Sequence, residues 1–319
     1  MMKRGLLIAL AAVALASAGW VSVSTWADIA AVGQGTARAL WTLPVLIAIH
    51  LLQLFLSSIA WRSLFTTERP GIGLYFRLRL IREGIDSLFP VAQVGGEVIG
   101  ARMLSKRGIQ AAEAGASVIV DVSLEVVSQA AFLLTGIAML AIVVGGDGFS
   151  AWLGTLAVGV LAVAGLLLAI RFGLLRLLEL LVERIGEQFP DLANLSLTGL
   201  HAAAAAFYRQ GGRLAGATGL HFVSWACGTF ETWVILYALG LPASLPMALV
   251  VESLGMAART AGFAIPGALA VQEGGFALAA LAVGLPESAG LSLSLVKRVR
   301  EILVGIAGVT LGWSGGGFR

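Results

Sequence analysis

Four polar side chains recur at intervals of four residues in a stretch of sequence that is otherwise strongly apolar. They are Ser117, Asp121, Glu125 and Gln129, within residues 111–144. A spacing of four places them on one face of a helix, pointing away from lipid if that helix spans a membrane. Ionisable groups at membrane depth are costly and by default mark substrate or ion pathways. The Asp121 and Glu125 carboxylates are therefore candidates for binding a polar group.

Further ionisable residues occupy apolar stretches of the second half of the sequence. Glu231 lies deep in a predicted span, and a basic cluster opens the last span. We predict that these groups face one another across an internal cavity that holds a phosphate, a sugar or another polar head group; the alternative is a set of internal salt bridges. Arg298 has the further alternative of snorkelling to the interface. The charged residues in these stretches are Glu231, Glu252, Arg259, Glu273, Lys297, Arg298, Arg300 and Glu301.

The composition defines the class of protein that must position these groups. The chain has 319 residues, of which 58% are apolar and 12% are charged, and its mean hydropathy is +0.93. These values predict an all-α integral membrane protein and exclude a soluble enzyme. The net charge of +3 comes from loops and not from a nucleic-acid-binding face. A single cysteine, Cys227, and three scattered histidines predict no metal site, and no cofactor is expected.

Two stretches break the apolar pattern in a way that a lipid-facing helix could not. Residues 84–104 contain Pro90 and the glycine pair Gly95 and Gly96, together with the polar residues Gln93 and Glu97. Every freed backbone group in hydrocarbon is costly, so broken backbone at membrane depth lines a cavity or is buried in protein.

A second stretch repeats this plan downstream, where Pro266 precedes Glu273 and Gly274. Paired broken segments in corresponding positions of two halves indicate a transporter binding site. We predict two re-entrant hairpins, within residues 84–104 and 248–284.

The remaining apolar runs predict about six transmembrane helices that, with the two hairpins, form an inverted repeat. By the excess of basic residues in particular loops, both termini lie in the cytoplasm, and the predicted location is the bacterial inner membrane. A cleaved signal peptide is the alternative for residues 1–20. The expected divisions are a first membrane half at 1–170, a cytoplasmic interfacial connection at 171–213 and a second membrane half at 214–319. The expected spans are 1–20, 39–61, 111–144, 151–170, 214–239 and 292–313.

The amino-acid sequence of the broken stretches is similar to that of a known family. The run PVAQVGGEVIGARML, with DVSLEVVSQ after it and PGALAVQEGG near the end, resembles the transmembrane region of lysylphosphatidylglycerol synthases and their stand-alone flippase-like relatives. Within that family it looks like the HpnL-type branch of membrane proteins associated with hopanoid biosynthesis. The positions that match the family's motifs are Pro90, Gly95, Gly96, Glu97, Arg102, Pro266, Glu273 and Gly274.

The resemblance implies a lipid translocator whose cargo is a hopanoid or another polar or anionic lipid, with hopanoid biosynthesis enzymes as further partners. Arg102, Arg259 and Arg300 would anchor the head group, although Arg102 is also placed to meet anionic lipid heads at the surface. We expect no enzymatic activity, because no ATPase loop and no hydrolase motif occurs in the sequence. Two alternatives stay open: an intramembrane lipid-modifying enzyme with Asp121, Glu125 or Glu231 as acid–base groups, and a scaffold for hopanoid enzymes.

Overall fold

A computed structural model describes residues 26–66, 70–88, 95–144, 197–262, 268 and 270–314. Every regular element in these ranges is a helix, as the all-α prediction requires. The predicted spans at 1–20 and 151–170 lie outside the described residues, as does most of the predicted connection at 171–213. The helices are α1 (Trp26–Ala39), α2 (Leu43–Ser63), α3 (Ile72–Leu88), α4 (Gly95–Ser105), α5 (Ala111–Val144), α6 (Leu197–Tyr208), α7 (Gly211–Ala238), α8 (Leu245–Ala261), α9 (Val271–Ala282) and α10 (Glu287–Ser314).

The helix is interrupted in both of the predicted broken stretches. In the first, α3 ends at Leu88 and α4 begins at Gly95. In the second, α8 ends at Ala261 and α9 begins at Val271, and two alanines before α9 have positive φ angles, 48° at Ala268 and 64° at Ala270. This conformation is uncommon for residues with a side chain. Each broken stretch thus contains the end of one helix and the start of the next. How deeply each stretch lies in a membrane stays a prediction.

Two helical stretches among the described residues are long and apolar enough to cross a membrane. They are Ile29–Ser63, in which a short 3₁₀ turn joins α1 to α2, and Ala111–Val143 in α5. The second coincides with the predicted span at 111–144. The other predicted crossings are not identified by length and composition alone, so the count of six stays a prediction.

The last helix, α10, has the reverse of the polarity that a helix of a soluble protein shows. Lys297 and Glu301 are almost completely buried, whereas Leu295, Ile302 and Ile306 are 38%, 47% and 50% exposed. Charged groups thus point into the protein and apolar groups point out. A contiguous apolar surface of this kind suits contact with lipid.

The helices form two groups around a central pair. In the first group α3 packs against α4 and α4 against α5; in the second, α8 packs against α9 and α9 against α10. The central helices α2 and α7 pack against each other. Two contacts join the groups, one between α3 and α10 and one between α5 and α8. A site between the groups is therefore bordered by α2 and α7.

Glycines bring α3 and α10 into backbone contact. A Cβ atom at Gly84 of α3 would lie 2.5 Å from the carbonyl oxygen of Gly305 and 2.9 Å from the backbone nitrogen of Val309 in α10. A Cβ atom at Gly308 would in turn overlap the carbonyl oxygen of Leu80. Small residues allow this close approach of helices in a membrane, where packing replaces the hydrophobic effect.

Gly84→Ala tests this contact. Because the new methyl group meets backbone atoms that cannot rotate away, we expect the substitution to destabilise the protein by about 1–3 kcal/mol. Gly73→Ala is a matched control in the same helix, since nothing lies within 4 Å of its Cβ position; alanine there should be neutral or stabilising by up to about 1 kcal/mol. Thermal unfolding of both variants in detergent measures the difference, and equal melting temperatures would contradict the contact.

Candidate functional site

The two groups of helices enclose a cavity of about 200 Å³. Its wall comes from α2, α3, α4, α5, α7, α8 and α10, and it combines a few uncharged side chains, among them Gln53, Ser57 and Trp225, with a dense set of ionisable ones. The ionisable lining residues are His50, Arg79, Arg82, Glu83, Asp86, Glu97, Glu125, Glu231, Glu252, Arg259, Arg300 and Glu301.

A first set of ion pairs joins α3 to α4 and α5. The Arg79 guanidinium lies 2.5 Å from an Asp121 carboxylate oxygen and 3.0 Å from one of Glu125. Arg82, one helical turn later, lies 2.8 Å from Glu97 and 3.4 Å from Asp121. Both arginines and Asp121 are almost completely buried. The four-residue spacing on α5 thus does place Asp121 and Glu125 on an inward face.

A second set of ion pairs joins α10 to α7 and α8. Arg300 lies 2.7 and 2.8 Å from the two carboxylate oxygens of Glu231. Lys297 lies 3.2 Å from Glu231 and 2.7 Å from Glu252. The hydroxyl of Thr232 donates a hydrogen bond to Glu252 at 2.5 Å. Two carboxylates therefore share two cations at a site from which solvent is almost excluded.

Two further arginines, Arg259 and Arg298, pair with Glu301. Arg259 pairs with Glu301 and donates a hydrogen bond to the amide oxygen of Gln272 at 3.0 Å. Arg298 lies 2.9 Å from Glu273 and 3.4 Å from Glu301. Arg298 is thus an ion-pair partner of Glu273. This set connects the start of α9 to the cavity through Glu301.

A close approach between α3 and α4 explains one of the paired glycines. The backbone N–H of Gly96 donates a hydrogen bond to Asp86 at 3.0 Å. A Cβ atom at position 96 would lie 2.6 Å from a carboxylate oxygen of Asp86 and 2.8 Å from the carbonyl oxygen of Arg82. Glycine at this position therefore lets the first turn of α4 bind the Asp86 carboxylate, and it brings Glu97 to Arg82.

The ionisable lining has more acids than bases. Four arginines face seven carboxylates, and each arginine already pairs with at least one carboxylate. Among the described side chains, no lysine or arginine lies within ion-pair distance of Asp86. Spare capacity for hydrogen bonding thus lies mainly on carboxylate oxygens, which only accept. A guest with hydroxyl or ammonium donors would fit without breaking an ion pair.

The structure brings together part of the predicted site. Glu97, Glu125, Glu231, Arg259 and Arg300 line the cavity, and Asp121 lies directly behind Arg79 and Arg82. Six other predicted residues lie in α4, α9 and α10 but do not line the cavity: Gly95, Gly96, Arg102, Glu273, Gly274 and Arg298. Three more lie outside the described residues: Pro90, Gln93 and Pro266.

The interpretation of the sequence missed the contribution of α3. Arg79, Arg82, Glu83 and Asp86 all line the cavity, and none of them was among the predicted site residues. Their spacing of three, four and seven residues places them on one helical face, and this pattern in the sequence could have identified them as cavity-lining residues. His50 was also missed, because a lone histidine in an apolar span is more often a packing residue.

In the described part of the chain, helices with exposed apolar side chains surround a charged cavity, an arrangement that suits a membrane protein with an internal polar site. The chain belongs to the family of the lysylphosphatidylglycerol synthase TM region, whose model matches residues 5–308. The family supports a membrane location and a lipid-related function. No curated protein and no solved structure matches the chain. Membership of the HpnL-type branch therefore stays a prediction.

Lys297→Met tests whether the second set of ion pairs supports the fold. The change leaves Glu252 buried without a cation, which typically costs about 3–5 kcal/mol. We expect a large loss of thermal stability in detergent and partial recovery in the double variant Lys297→Met/Glu252→Gln. Arg107→Met, at an exposed position of the α4–α5 turn, is the control and should unfold like the parent. A single Lys297→Met variant of unchanged stability would contradict the assignment.

Proposed function

We propose that this protein moves a polar lipid between the two leaflets of the bacterial inner membrane, as part of the synthesis or transport of hopanoids. The observation that carries the proposal is the charged cavity inside a body whose outer surface is apolar. Such a cavity shelters a head group while the acyl or ring portion of the lipid stays against the apolar surface. The lipid-related family supports the same substrate class.

The packing of the helices supports an inverted repeat, in which α1–α5 correspond to α6–α10 in the same order. Under this correspondence, the contact of α3 with α10 is equivalent to that of α8 with α5. The contact of α1 with α10 is likewise equivalent to that of α6 with α5, and α2 meets its own counterpart, α7. Every principal contact between helices has an equivalent in this scheme.

Individual residues at the meeting of α2 and α7 agree with the two-fold relation. The side chain of Gln53 donates to the carbonyl oxygen of Ser224 at 2.9 Å, and the Ser224 hydroxyl donates to the carbonyl oxygen of Gln53 at 3.0 Å. These residues are 171 positions apart, the same separation as His50 and His221. Reciprocal bonds between equivalent residues are expected where a two-fold axis passes between two helices.

The repeat suggests how the cavity would open. The two groups of helices meet at the α3–α10 and α5–α8 contacts, and rocking of one group against the other would expose the cavity to each side in turn. The arginine and lysine ion pairs beside the cavity each join helices of one half, so this motion leaves them intact. The head group enters, competes for hydrogen bonds with carboxylates such as Glu97, and leaves on the opposite side. The energy would come from an ion gradient or from unequal amounts of the lipid in the two leaflets.

An enzymatic role has less support from the geometry, and we propose that the protein is not an enzyme. Acid–base catalysis needs carboxyl groups that exchange protons with a substrate. Glu125 pairs with Arg79, and Asp121 pairs with Arg79 and Arg82. Glu231 pairs with Lys297 and Arg300. These carboxylates are held as ion-pair partners.

Glu97→Gln tests the proposal. The amide keeps the size of the side chain but removes its charge, and with it the pairing to Arg82 at the cavity wall. We expect lipid translocation to slow by roughly tenfold, which corresponds to about 1.4 kcal/mol. The measurement is the inner-to-outer ratio of hopanoid and of anionic lipids in cells that lack the protein, complemented with the parent or the variant at equal protein level. Glu113→Gln, outside the cavity lining, is the control and should behave like the parent.

The same lipid measurements distinguish translocation from an enzymatic or a scaffolding role. An altered leaflet ratio with unchanged total lipid supports translocation. The disappearance of one lipid species, or the accumulation of its precursor, would replace this proposal with an enzyme. A scaffold predicts full complementation by a variant in which both Glu97 and Glu273 are neutralised.

A further inference from the structure

His50 has partners of opposite character at one ring nitrogen. Its Nδ1 atom lies 2.8 Å from an N–H group of Arg300 and 3.0 Å from the side-chain oxygen of Gln53. Arg300 only donates hydrogen bonds, and the Gln53 oxygen only accepts them. A single Nδ1 atom therefore satisfies one neighbour at a time, and which one it satisfies depends on whether it carries a hydrogen.

The amide orientation of Gln53 is fixed by a separate bond. The Gln53 side-chain nitrogen donates to the carbonyl oxygen of Ser224 in α7 at 2.9 Å. The oxygen, and not the nitrogen, is therefore directed at His50. The other ring nitrogen, Nε2, lies 3.4 Å from a carboxylate oxygen of Glu83 in α3. This contact is at ion-pair distance but does not have hydrogen-bond geometry. When the ring is neutral with its hydrogen on Nε2, Nδ1 is free to accept from Arg300.

We propose that His50 is the proton-binding site of the cavity, which exchanges an acceptor bond from Arg300 for a donor bond to Gln53 when Nδ1 takes up a proton. The inference rests on the proposed function and deepens it by naming the proton as the coupling ion. The proton arrives from water in the cavity, which His50 lines. No covalent bond is broken, and the charge of the cavity rises by one.

The charged neighbours of His50 act on its protonation in both directions. Glu83 of α3 receives the second N–H of the imidazolium as an ion pair. Arg300 of α10 opposes the new charge but keeps both of its bonds to Glu231 of α7. Arg259 of α8 adds repulsion, and Glu301 of α10 pairs with both arginines. Protonation thus releases α2 from α10 and strengthens its ion pair with α3, while the new donor bond to Gln53 lies within α2 itself.

The equivalent histidine of the other half lacks this arrangement. His221 is completely buried, and its Nε2 atom lies 3.1 Å from Asp121. Its Nδ1 atom has no hydrogen-bond partner among the described residues, and His221 does not line the cavity. The third histidine, His201, lies on the exposed side of α6. The two remaining histidines are therefore matched references for His50.

Nitrogen NMR of ¹⁵N-histidine-labelled protein in detergent tests the proton site without reference to transport. Signals are assigned with His201→Gln and His221→Gln. Spectra are compared between about pH 8 and pH 5, the range in which a free histidine changes charge. We expect the Nδ1 signal of His50 to change from that of a bare ring nitrogen to that of an N–H group. A His50 signal that is constant over this range would overturn the proposal.

Proteoliposomes test the coupling. Vesicles of phosphatidylcholine carry a trace of head-group-labelled phosphatidylethanolamine or, in parallel, labelled phosphatidylglycerol, and the loss of label accessibility is followed with and without an imposed pH gradient. One coupled proton allows a change of up to about tenfold for each pH unit. We expect His50→Gln to abolish the response and His201→Gln to keep it.

A response that survives in His50→Gln would overturn the coupling. If neither probe moves at any pH in the parent, the proposed translocation fails, while the NMR result still decides whether His50 binds the proton.

Discussion

The structure depends on one electrostatic constraint, which is that charges inside an apolar body must be paired. Removing an ion from water is costly, and only close, well-bonded partners of opposite charge recover that cost. Arg79 with Asp121 and Arg300 with Glu231 meet this condition at 2.5–2.8 Å. The pairs fix how α3 lies against α5 and how α10 lies against α7. The position of the cavity follows, because it is the space that these paired side chains leave between them.

The pairing also explains why helices with so much charge keep an apolar exterior. On α10, residues such as Lys297 and Glu301 point inward and Ile302 and Ile306 point outward, so a single helix meets both the ion pairs and the surroundings. Glycines at the α3–α10 crossing then allow backbone contact behind the charged layer. Dense packing and dense charge thus occupy neighbouring layers of the same helix pair.

Part of this architecture was accessible from the sequence. The class of fold, the interruption of both broken stretches and the inward face of α5 followed from apolar content, proline and glycine positions and a four-residue spacing. The role of Arg79 and Arg82 did not follow, because basic residues near a membrane also report topology, and a charge count does not distinguish the two uses. The bond of Arg300 to His50 spans 250 positions, and no local pattern encodes such a pairing.

The ion pairs formed by arginine and lysine have a consequence for how the chain is made. Each ion pair described above joins two residues of the same half of the chain. In the first half, Arg79 and Arg82 pair with Glu97, Asp121 and Glu125. In the second half, Lys297 and Arg300 pair with carboxylates of α7, α8 and α10. The charges of the first half can therefore be neutralised before the ribosome has produced the second. Insertion into the membrane can then proceed half by half, without leaving these cations stranded in hydrocarbon while their partners are still to be synthesised.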